Sequence, residues 1–305
     1  MTSHALIDRA RPETLISPSR GRRIVDTSPS IDPVTATVLP QLTELLDLID
    51  EGAPYLQARV LCEVQAGPHR FPVHALTLGN PSPEVPAVGF FGGVHGLGRV
   101  GADVVLAYLN NLVKRLGWDD SLHEQLKHVR LVFMPLVNPG GFWLGTRANP
   151  NGVDLMRNAP VEAREKVPFL IGGQRISKGI PWYRGAEGAP MEAEAQALCD
   201  FVEEELLSRE FSVAVDCHSG FGTDDRIWFP YAHTTQPIHH LAEIHALHAI
   251  FDQTHAHHPY VFEPQSVQYL THGDIWDHLY LRSRSRPGGK VFLPLTLEMG
   301  SWMWI

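Results

Sequence analysis

The sequence predicts a single α/β domain in which a mixed, mostly parallel sheet is flanked by helices. Four short runs are apolar on both faces, which is typical of strands that are covered on both sides; they span residues 88–91, 129–137, 211–215 and 291–297. Segments with helical spacing of apolar residues lie between these runs. Strands that alternate with helices in this way indicate the α/β class.

The remaining elements follow in chain order. Residues 1–35 are rich in Arg, Ser and Pro and show little periodicity, which predicts an extended N-terminal arm ahead of one domain at 36–305. Apolar spacing predicts a first helix near residues 38–50, and two runs rich in β-formers predict an edge hairpin at 58–65 and 71–78. Further helices are predicted at 100–116, 191–207 and 238–253.

Composition restricts the class of partner. The chain has 305 residues, 44% of them hydrophobic, and a formal net charge of −9 with both signs interleaved. This hydrophobic content suits a folded domain, and the absence of a concentrated basic face argues against nucleic acid. The three cysteines contain no Cys-x-x-Cys pair, and no segment is typical of a signal peptide or a membrane span, so we expect reduced thiols and a cytoplasmic protein.

Polar residues follow the ends of the apolar runs. His95, Asn138, His218 and Glu298 each come at or just after the end of one run. Ligands of open α/β sheets bind beyond the carboxyl ends of the strands, so these side chains are expected to converge. The chain has 17 histidines, and a single histidine near a strand end is weak evidence. The segment at 254–259 contains three histidines, but its polar context favours an ordinary surface stretch.

Four segments carry the strongest signal when they are taken in order. They are Gly92-Gly-Val-His95-Gly-Leu-Gly98, Asn138-Pro-Gly-Gly with Arg147 to Asn158 after it, Asp216-Cys-His218-Ser, and Thr296-Leu-Glu298. Together they resemble the zinc carboxypeptidase family, which is typified by carboxypeptidase A. The resemblance covers residues 87–298 and implies that family's fold, a phosphorylase/hydrolase-like α/β sandwich.

The resemblance also implies a chemistry. His95 and His218 correspond to ligands of a catalytic zinc, which takes three protein ligands and keeps one position open. Glu298 corresponds to the general base that accepts a proton from water and returns it to the leaving amine. Arg147 corresponds to the cation that stabilises the oxyanion, and Asp154 to the carboxylate that orients the first histidine.

Substrate recognition is implied by the same match. Arg157 corresponds to the residue that binds the terminal carboxylate of the substrate, and Asn158 lies beside it as a further substrate-binding residue. Tyr269 corresponds to the tyrosine that closes over the substrate, with Tyr260 as the alternative. The implied substrate is a peptide or an acyl-amino acid.

The chain departs from the family pattern at three places. Gly98 stands where the family has the third zinc ligand, a glutamate. We keep three explanations open: a non-catalytic protein, a recent mutation, or replacement by another carboxylate (Asp103, Asp216, Asp224 or Asp225). Met156 stands where the family has an asparagine. The sequence ends in the apolar residues Trp302-Met-Trp-Ile305, which suggests C-terminal truncation or burial in a homo-oligomer.

These observations predict a zinc-dependent, carboxypeptidase-like hydrolase of peptide or amide bonds. Two alternatives use the same scaffold. One is a non-catalytic binding protein, which the loss at Gly98 favours. The other is an amidase or deacylase for small acyl-amino acids, which Met156 favours because a methionine cannot donate a hydrogen bond.

Overall fold

The computed structural model describes residues 38–301, which fold around one eight-stranded mixed sheet. The strands are β1 (Gln57–Ala66), β2 (His69–Gly79), β3 (Ala87–Gly92), β4 (Arg130–Met134), β5 (Phe211–Ser219), β6 (Arg226–Phe229), β7 (Val261–Pro264) and β8 (Val291–Met299). Their order across the sheet is β1-β2-β4-β3-β5-β8-β6-β7. The central strands β4, β3, β5 and β8 run parallel to one another, and β6 and β7 are parallel to each other. The pairs β1–β2, β2–β4 and β6–β8 are antiparallel.

Seven α-helices accompany the sheet in residues 38–301. They are α1 (Pro40–Gly52), α2 (Arg99–Leu116), α3 (Asp120–Leu126), α4 (Pro139–Leu144), α5 (Ala193–Glu205), α6 (Leu241–Thr254) and α7 (Ile275–Ser285). Two 3₁₀ turns lie at Leu155–Arg157 and Gln265–Val267. Among these helices, none combines the length and apolar character that crossing a membrane requires.

The core lies on both faces of the sheet, as the all-apolar central strands predict. In β4, Val132 and Met134 pack into a cluster with α5 and α7, whereas Leu131 and Phe133 pack into another with α2 and α3. Alternate residues of a strand point to opposite faces, so the two clusters lie on opposite sides of the sheet. This arrangement confirms the predicted fold class.

The elements differ from the sequence prediction mainly in their ends. The second apolar run forms a strand only as far as Met134, and its last residues belong to the following loop. β5 and β8 extend four and two residues, respectively, beyond the runs at 211–215 and 291–297, so His218 and Glu298 lie within strands. The short helices α3 and α4, the short strands β6 and β7, and the helix α7 were not predicted, because short or charge-rich segments give weak periodicity. The predicted arm at 1–35 and the terminal residues 302–305 lie outside the described residues.

Candidate functional site

The central parallel strands deliver their polar residues to one edge of the sheet. His218 of β5 lies opposite Glu298 of β8 in register, and β3 pairs with β5 up to Gly92 and Cys217. His95 follows β3 by three residues. The result is a cleft of about 90 Å³ at the carboxyl ends of these strands, lined by His95, Arg147, Met156, Arg157, Ile171, Trp182, His218, Ser219, Gly220, Phe221, Trp228, Gln265, Tyr269, Thr296 and Glu298.

His218 is oriented by a carboxylate of its own strand. Residues i and i+2 of a strand share a face, and Asp216 Oδ2 lies 2.6 Å from His218 Nε2. Burial alone lowers the pKa of His218, but the charge and hydrogen bond of Asp216 raise it to about 9. Since Nε2 is bonded to Asp216, Nδ1 is the ring nitrogen that His218 can offer to the cleft.

His95 lies between an arginine and an aspartate. Arg147 Nη2 is 2.8 Å from His95 Nε2, and a guanidinium can only donate, so Nε2 accepts and the ring proton is on Nδ1. That nitrogen is 3.6 Å from Asp154 Oδ1, beyond hydrogen-bond distance. Burial and the charge of Arg147 hold the pKa of His95 well below its usual range. The two histidine rings lie edge to face, with centroids 5.1 Å apart.

Asp154 fixes the arginine that contacts His95. Its Oδ2 accepts from Arg147 Nε at 2.8 Å, and its Oδ1 accepts from the backbone N–H of Met156. Burial alone raises the pKa of Asp154, but the charges of Arg147, His95 and Arg157 and the hydrogen bond from Arg147 together outweigh it and lower this pKa. The structure therefore brings His95, Arg147 and Asp154 together, but Asp154 bonds Arg147 and makes no hydrogen bond to His95, the residue it was predicted to orient.

The segment between β4 and Asp154 is anchored by two asparagines. Asn138 caps α4 through Gly141 N–H and donates to the carbonyl of Val94, next to His95. Asn149 accepts from the backbone N–H of Val153, which closes the turn after Arg147. Its amide donates to Glu192 and Glu194 at the start of α5. These bonds explain the Asn-Pro-Gly-Gly and Asn-Pro-Asn-Gly patterns, because each asparagine satisfies several backbone and side-chain groups.

Arg157 lines the cleft beside Tyr269, with its guanidinium carbon 5.9 Å from the centroid of the tyrosine ring. Burial alone lowers the pKa of Arg157, but Tyr269 and Asp154 outweigh it, so the pKa is raised and the cation is retained. The alternative tyrosine, Tyr260, packs against Phe251 and is not among the cleft residues.

Asn158 is placed differently from its neighbours. Its side chain donates to the carbonyl of Arg184 at 3.0 Å and accepts from the backbone N–H of Glu192 at 2.6 Å. It is not among the cleft residues and lines a separate groove instead. Because its amide is used by these two bonds, the substrate-binding role predicted for Asn158 gains no support from its position.

Glu298 is only 8% exposed and faces the cleft beside His218. Burial raises its pKa above the ordinary glutamate value. A carboxylate that is readily protonated at the bottom of a cleft is suited to accepting and returning a proton.

The residues present fit a zinc ion at two of its three protein positions. His95 and His218 supply imidazole nitrogens, and among the described residues the buried Nδ1 of His95 has no hydrogen-bond partner. Among residues 38–301 there is no cluster of three His, Cys, Asp or Glu side chains suited to a metal. Position 98 retains room for a ligand: its φ is −79°, and a Cβ there would meet only His95, at 3.2 Å from the carbonyl oxygen and 3.8 Å from Cβ. By contrast, a Cβ on Gly101 would lie 1.9 Å from the Cys217 oxygen.

The carboxylates considered as replacements are engaged elsewhere. Asp103 accepts from Gln41, Asp224 pairs with Arg226, and Asp225 accepts from the backbone N–H of Gly300. Asp216 is bonded to the nitrogen of His218 that points away from the cleft. Replacement of the missing glutamate by one of these four residues is therefore not supported by the structure.

Sequence reasoning did not find several residues of the site. Trp276 donates to Asp216 Oδ2 at 2.8 Å, and Phe221, Trp228 and Gln265 line the cleft. The i, i+2 spacing of Asp216 and His218 was a usable signal for their pairing. Trp276 and Gln265 lie near Tyr269 but outside the four ordered motifs, and their spacing from those motifs carries no signal.

Comparison with known proteins agrees with this geometry. The zinc carboxypeptidase family matches residues 70–299. Carboxypeptidase SOL1 of Arabidopsis thaliana is 32% identical over 93 residues, which cover 30% of this chain and 19% of that protein.

Solved structures show the same fold. Thrombin-activatable fibrinolysis inhibitor superimposes with a TM-score of 0.63 and 18% identity, covering 83% of this chain and 63% of that one. Carboxypeptidase A of Helicoverpa armigera gives a TM-score of 0.61 and 16% identity, covering 86% of this chain and 64% of that one. The chain thus spans less than two thirds of each of these three relatives.

Proposed function

Since the chain belongs to the zinc carboxypeptidase family, we propose that it is a zinc-dependent hydrolase of peptide or amide bonds with a weakened metal site. The observation that carries the proposal is the convergence of His95, His218, Arg147 and Glu298 on one cleft. The substrate class follows from Arg157 in that cleft, a cation suited to the terminal carboxylate of a peptide or an acyl-amino acid.

His95 and His218 are the residues that would hold the metal. When bound, zinc acidifies a water molecule and polarises a carbonyl group. The missing carboxylate at position 98 weakens this binding, because even the loss of a group that only orients a ligand costs ~10–100-fold in affinity or activity.

Glu298 moves the proton in the proposed reaction. Its carboxylate accepts a proton from the attacking water and passes it to the departing nitrogen. The raised pKa that burial gives Glu298 favours the first transfer. Arg147, held by Asp154 at 2.8 Å, supplies a fixed positive charge beside the reacting carbonyl oxygen.

A second candidate is a non-catalytic protein that binds carboxylate ligands. It is favoured by the incomplete metal site and by the direct contact of Arg147 with His95, which gives the first histidine a protein partner without a metal. Arg157 would still bind an anionic group, so ligand binding alone does not separate the two candidates. Met156 in the cleft removes a hydrogen-bond donor that strict recognition of a terminal carboxylate uses, which keeps small amides among the substrates.

Turnover by the Glu298→Gln variant tests the proposal. With zinc supplied, the wild-type chain should release product from N-acyl amino acids, and Glu298→Gln should lose at least about 100-fold in rate, the lower part of the range for general-base catalysis. Its zinc content and melting temperature should match those of the wild type. Glu210→Gln, a change at an exposed glutamate, is the matched control. Equal rates in Glu298→Gln and wild type would remove Glu298 from the reaction, and no turnover in the zinc-loaded wild type would favour the binding protein.

The cellular location and the oligomeric state belong to the same proposal. We expect a reducing compartment such as the cytoplasm, because Cys62, Cys199 and Cys217 are all free thiols and burial raises the pKa of each of them. A homo-oligomer remains a prediction from the sequence.

A further inference from the structure

One carboxylate oxygen of Asp216 accepts hydrogen bonds from two side chains. Its Oδ2 is 2.6 Å from His218 Nε2 and 2.8 Å from Trp276 Nε1. The residue is fully buried, and its other oxygen, Oδ1, has no hydrogen-bond partner in residues 38–301. The orientation of this carboxylate therefore depends on the histidine that it serves and on one tryptophan.

Trp276 is held firmly in the first turn of α7. It is only 3% exposed, and the helix start is fixed by Asp274, which accepts from the backbone N–H of Asp277 at 2.8 Å. The indole ring packs edge to face on Phe91 of β3, with centroids 5.0 Å apart. Trp276 thus contacts both the strand that leads to His95 and the strand that carries His218.

The direction of the hydrogen bonds follows from the chemistry of the indole. Its N–H can only donate, so Asp216 Oδ2 must accept from it. With Oδ2 fixed as an acceptor, His218 must donate from Nε2, and Nδ1 is left as the nitrogen that faces the cleft. Without the indole donor, His218 would be the only hydrogen-bond partner left to the carboxylate among the described residues, and no second bond would distinguish Oδ2 from Oδ1.

We propose that Trp276 is a positioning residue for His218, which acts through Asp216 to present the Nδ1 nitrogen of that histidine to the cleft. This inference deepens the proposed function, because it concerns a histidine that would hold zinc. It concerns only the arrangement of this chain's own side chains, so it can be tested without turnover or metal.

The direct test is nuclear magnetic resonance of the His218 ring in the metal-free protein labelled with ¹⁵N. The Hε2 proton of His218, which is hydrogen-bonded to Asp216, should give a downfield signal and should exchange slowly with water. Trp276→Phe keeps an aromatic ring but removes the donor, and we expect its Hε2 exchange to be at least about tenfold faster. Tyr280→Phe is the matched control: it lies on the same helix, is equally buried, and loses a hydroxyl that contacts His240 instead. Its His218 signal should be that of the wild type.

A second variant guards against a loss of packing. Benzothienylalanine at position 276 keeps the shape of the bicyclic ring and its contact with Phe91 but has sulfur in place of N–H. It should reproduce the fast exchange of Trp276→Phe with a wild-type melting temperature. An unchanged His218 signal in this variant would overturn the inference, even if Trp276→Phe fails to fold.

Zinc affinity gives a separate readout. Calorimetric titration of zinc into wild type, Trp276→Phe and Tyr280→Phe should show about tenfold weaker binding in the first variant alone, at the lower end of the cost of losing a group that orients a ligand. Equal weakening in both variants would contradict a specific role for Trp276. If the wild type binds no zinc, the proposed function fails, whereas the exchange measurement still decides the inference.

Discussion

Restoring a carboxylate at position 98 is the most informative perturbation of this site. Gly98 lies three residues after His95, at the start of α2, and its backbone N–H donates to the His95 carbonyl. Its φ of −79° suits any residue, and a Cβ added at this position would have only His95 atoms within 4 Å. The nearest of these atoms is the His95 carbonyl oxygen at 3.2 Å, so we expect Gly98→Glu to fold with a small local shift of that carbonyl group.

Gly98→Glu should strengthen zinc binding. A third direct ligand should strengthen zinc binding at least as much as a group that only orients a ligand, about 10–100-fold, or roughly 1.4–2.8 kcal/mol. Ordering the glutamate side chain opposes this by up to ~2 kcal/mol, so the observed gain is expected to fall below about 100-fold and to be only a few-fold at the full ordering cost. Without zinc, an acidic residue at a helix N-terminus stabilises by ~0.3–1 kcal/mol, and losing the flexibility of glycine adds a similar amount.

Competition against a zinc chelator of known affinity measures the effect. Gly98→Gln is the matched control, because it fills the same space without the negative charge that a metal ligand provides. We expect tighter zinc binding in Gly98→Glu than in Gly98→Gln, and both variants should be at least as stable as the wild type without metal. Equal zinc affinity in the two variants, or a large loss of stability in both, would refute the argument that position 98 is an open place in an otherwise intact site.

Three further predictions follow from the cleft and its surroundings. Met156→Asn, which adds a donor to the cleft, should bind an N-acyl amino acid about tenfold more tightly by calorimetry, and an equal gain for the corresponding acyl amide would contradict recognition of the carboxylate. Asp154→Asn removes the negative charge that holds Arg147. Because this ion pair is only partly shielded from water, urea unfolding should show that the free energy of unfolding falls by about 2 kcal/mol. A fall of less than ~0.5 kcal/mol would contradict this prediction. Burial and the charge of Asp277 raise the pKa of Asp274 to about 7, so this group should lower wild-type stability as pH rises from about 4 to 7, by at most ~1.4 kcal/mol per pH unit. Asp274→Asn keeps a capping side chain and should flatten that dependence in melting curves, and an identical slope in the variant would count against it.

The buried centre of the fold was predictable because its strands are apolar on both faces. That pattern identified the parts of β3, β4, β5 and β8 that build the core, and the polar residues at their ends identified the cleft. The strand ends were harder to predict. His218 and Glu298 lie within β5 and β8, whereas the apolar runs that predicted these strands end before them. A polar residue continues a strand wherever its backbone keeps a partner, and β5 and β8 pair with each other through these positions.

The surroundings of the cleft were harder to predict from the sequence, because they are built by contacts between distant segments. Arg147 and Asp154 come from one motif and lie in contact, but the pair that they form with each other was not among the roles that the motif implied. Asn158 belongs to the same motif, yet its amide is used by backbone groups of a separate segment, which the motif does not encode. Trp276 reaches Asp216 from sixty residues away, and only the packing of α7 against the sheet brings the two together.

We propose that zinc held by His95 and His218 makes this chain a hydrolase. The most direct measurement is the rate of hydrolysis of an N-acyl amino acid as zinc is titrated into the metal-free protein, with His218→Ala alongside. We expect a rate that rises and saturates at one zinc per chain in the wild type and no such rise in His218→Ala. A rate independent of zinc, the same rise in His218→Ala, or no hydrolysis with zinc bound would contradict this proposal.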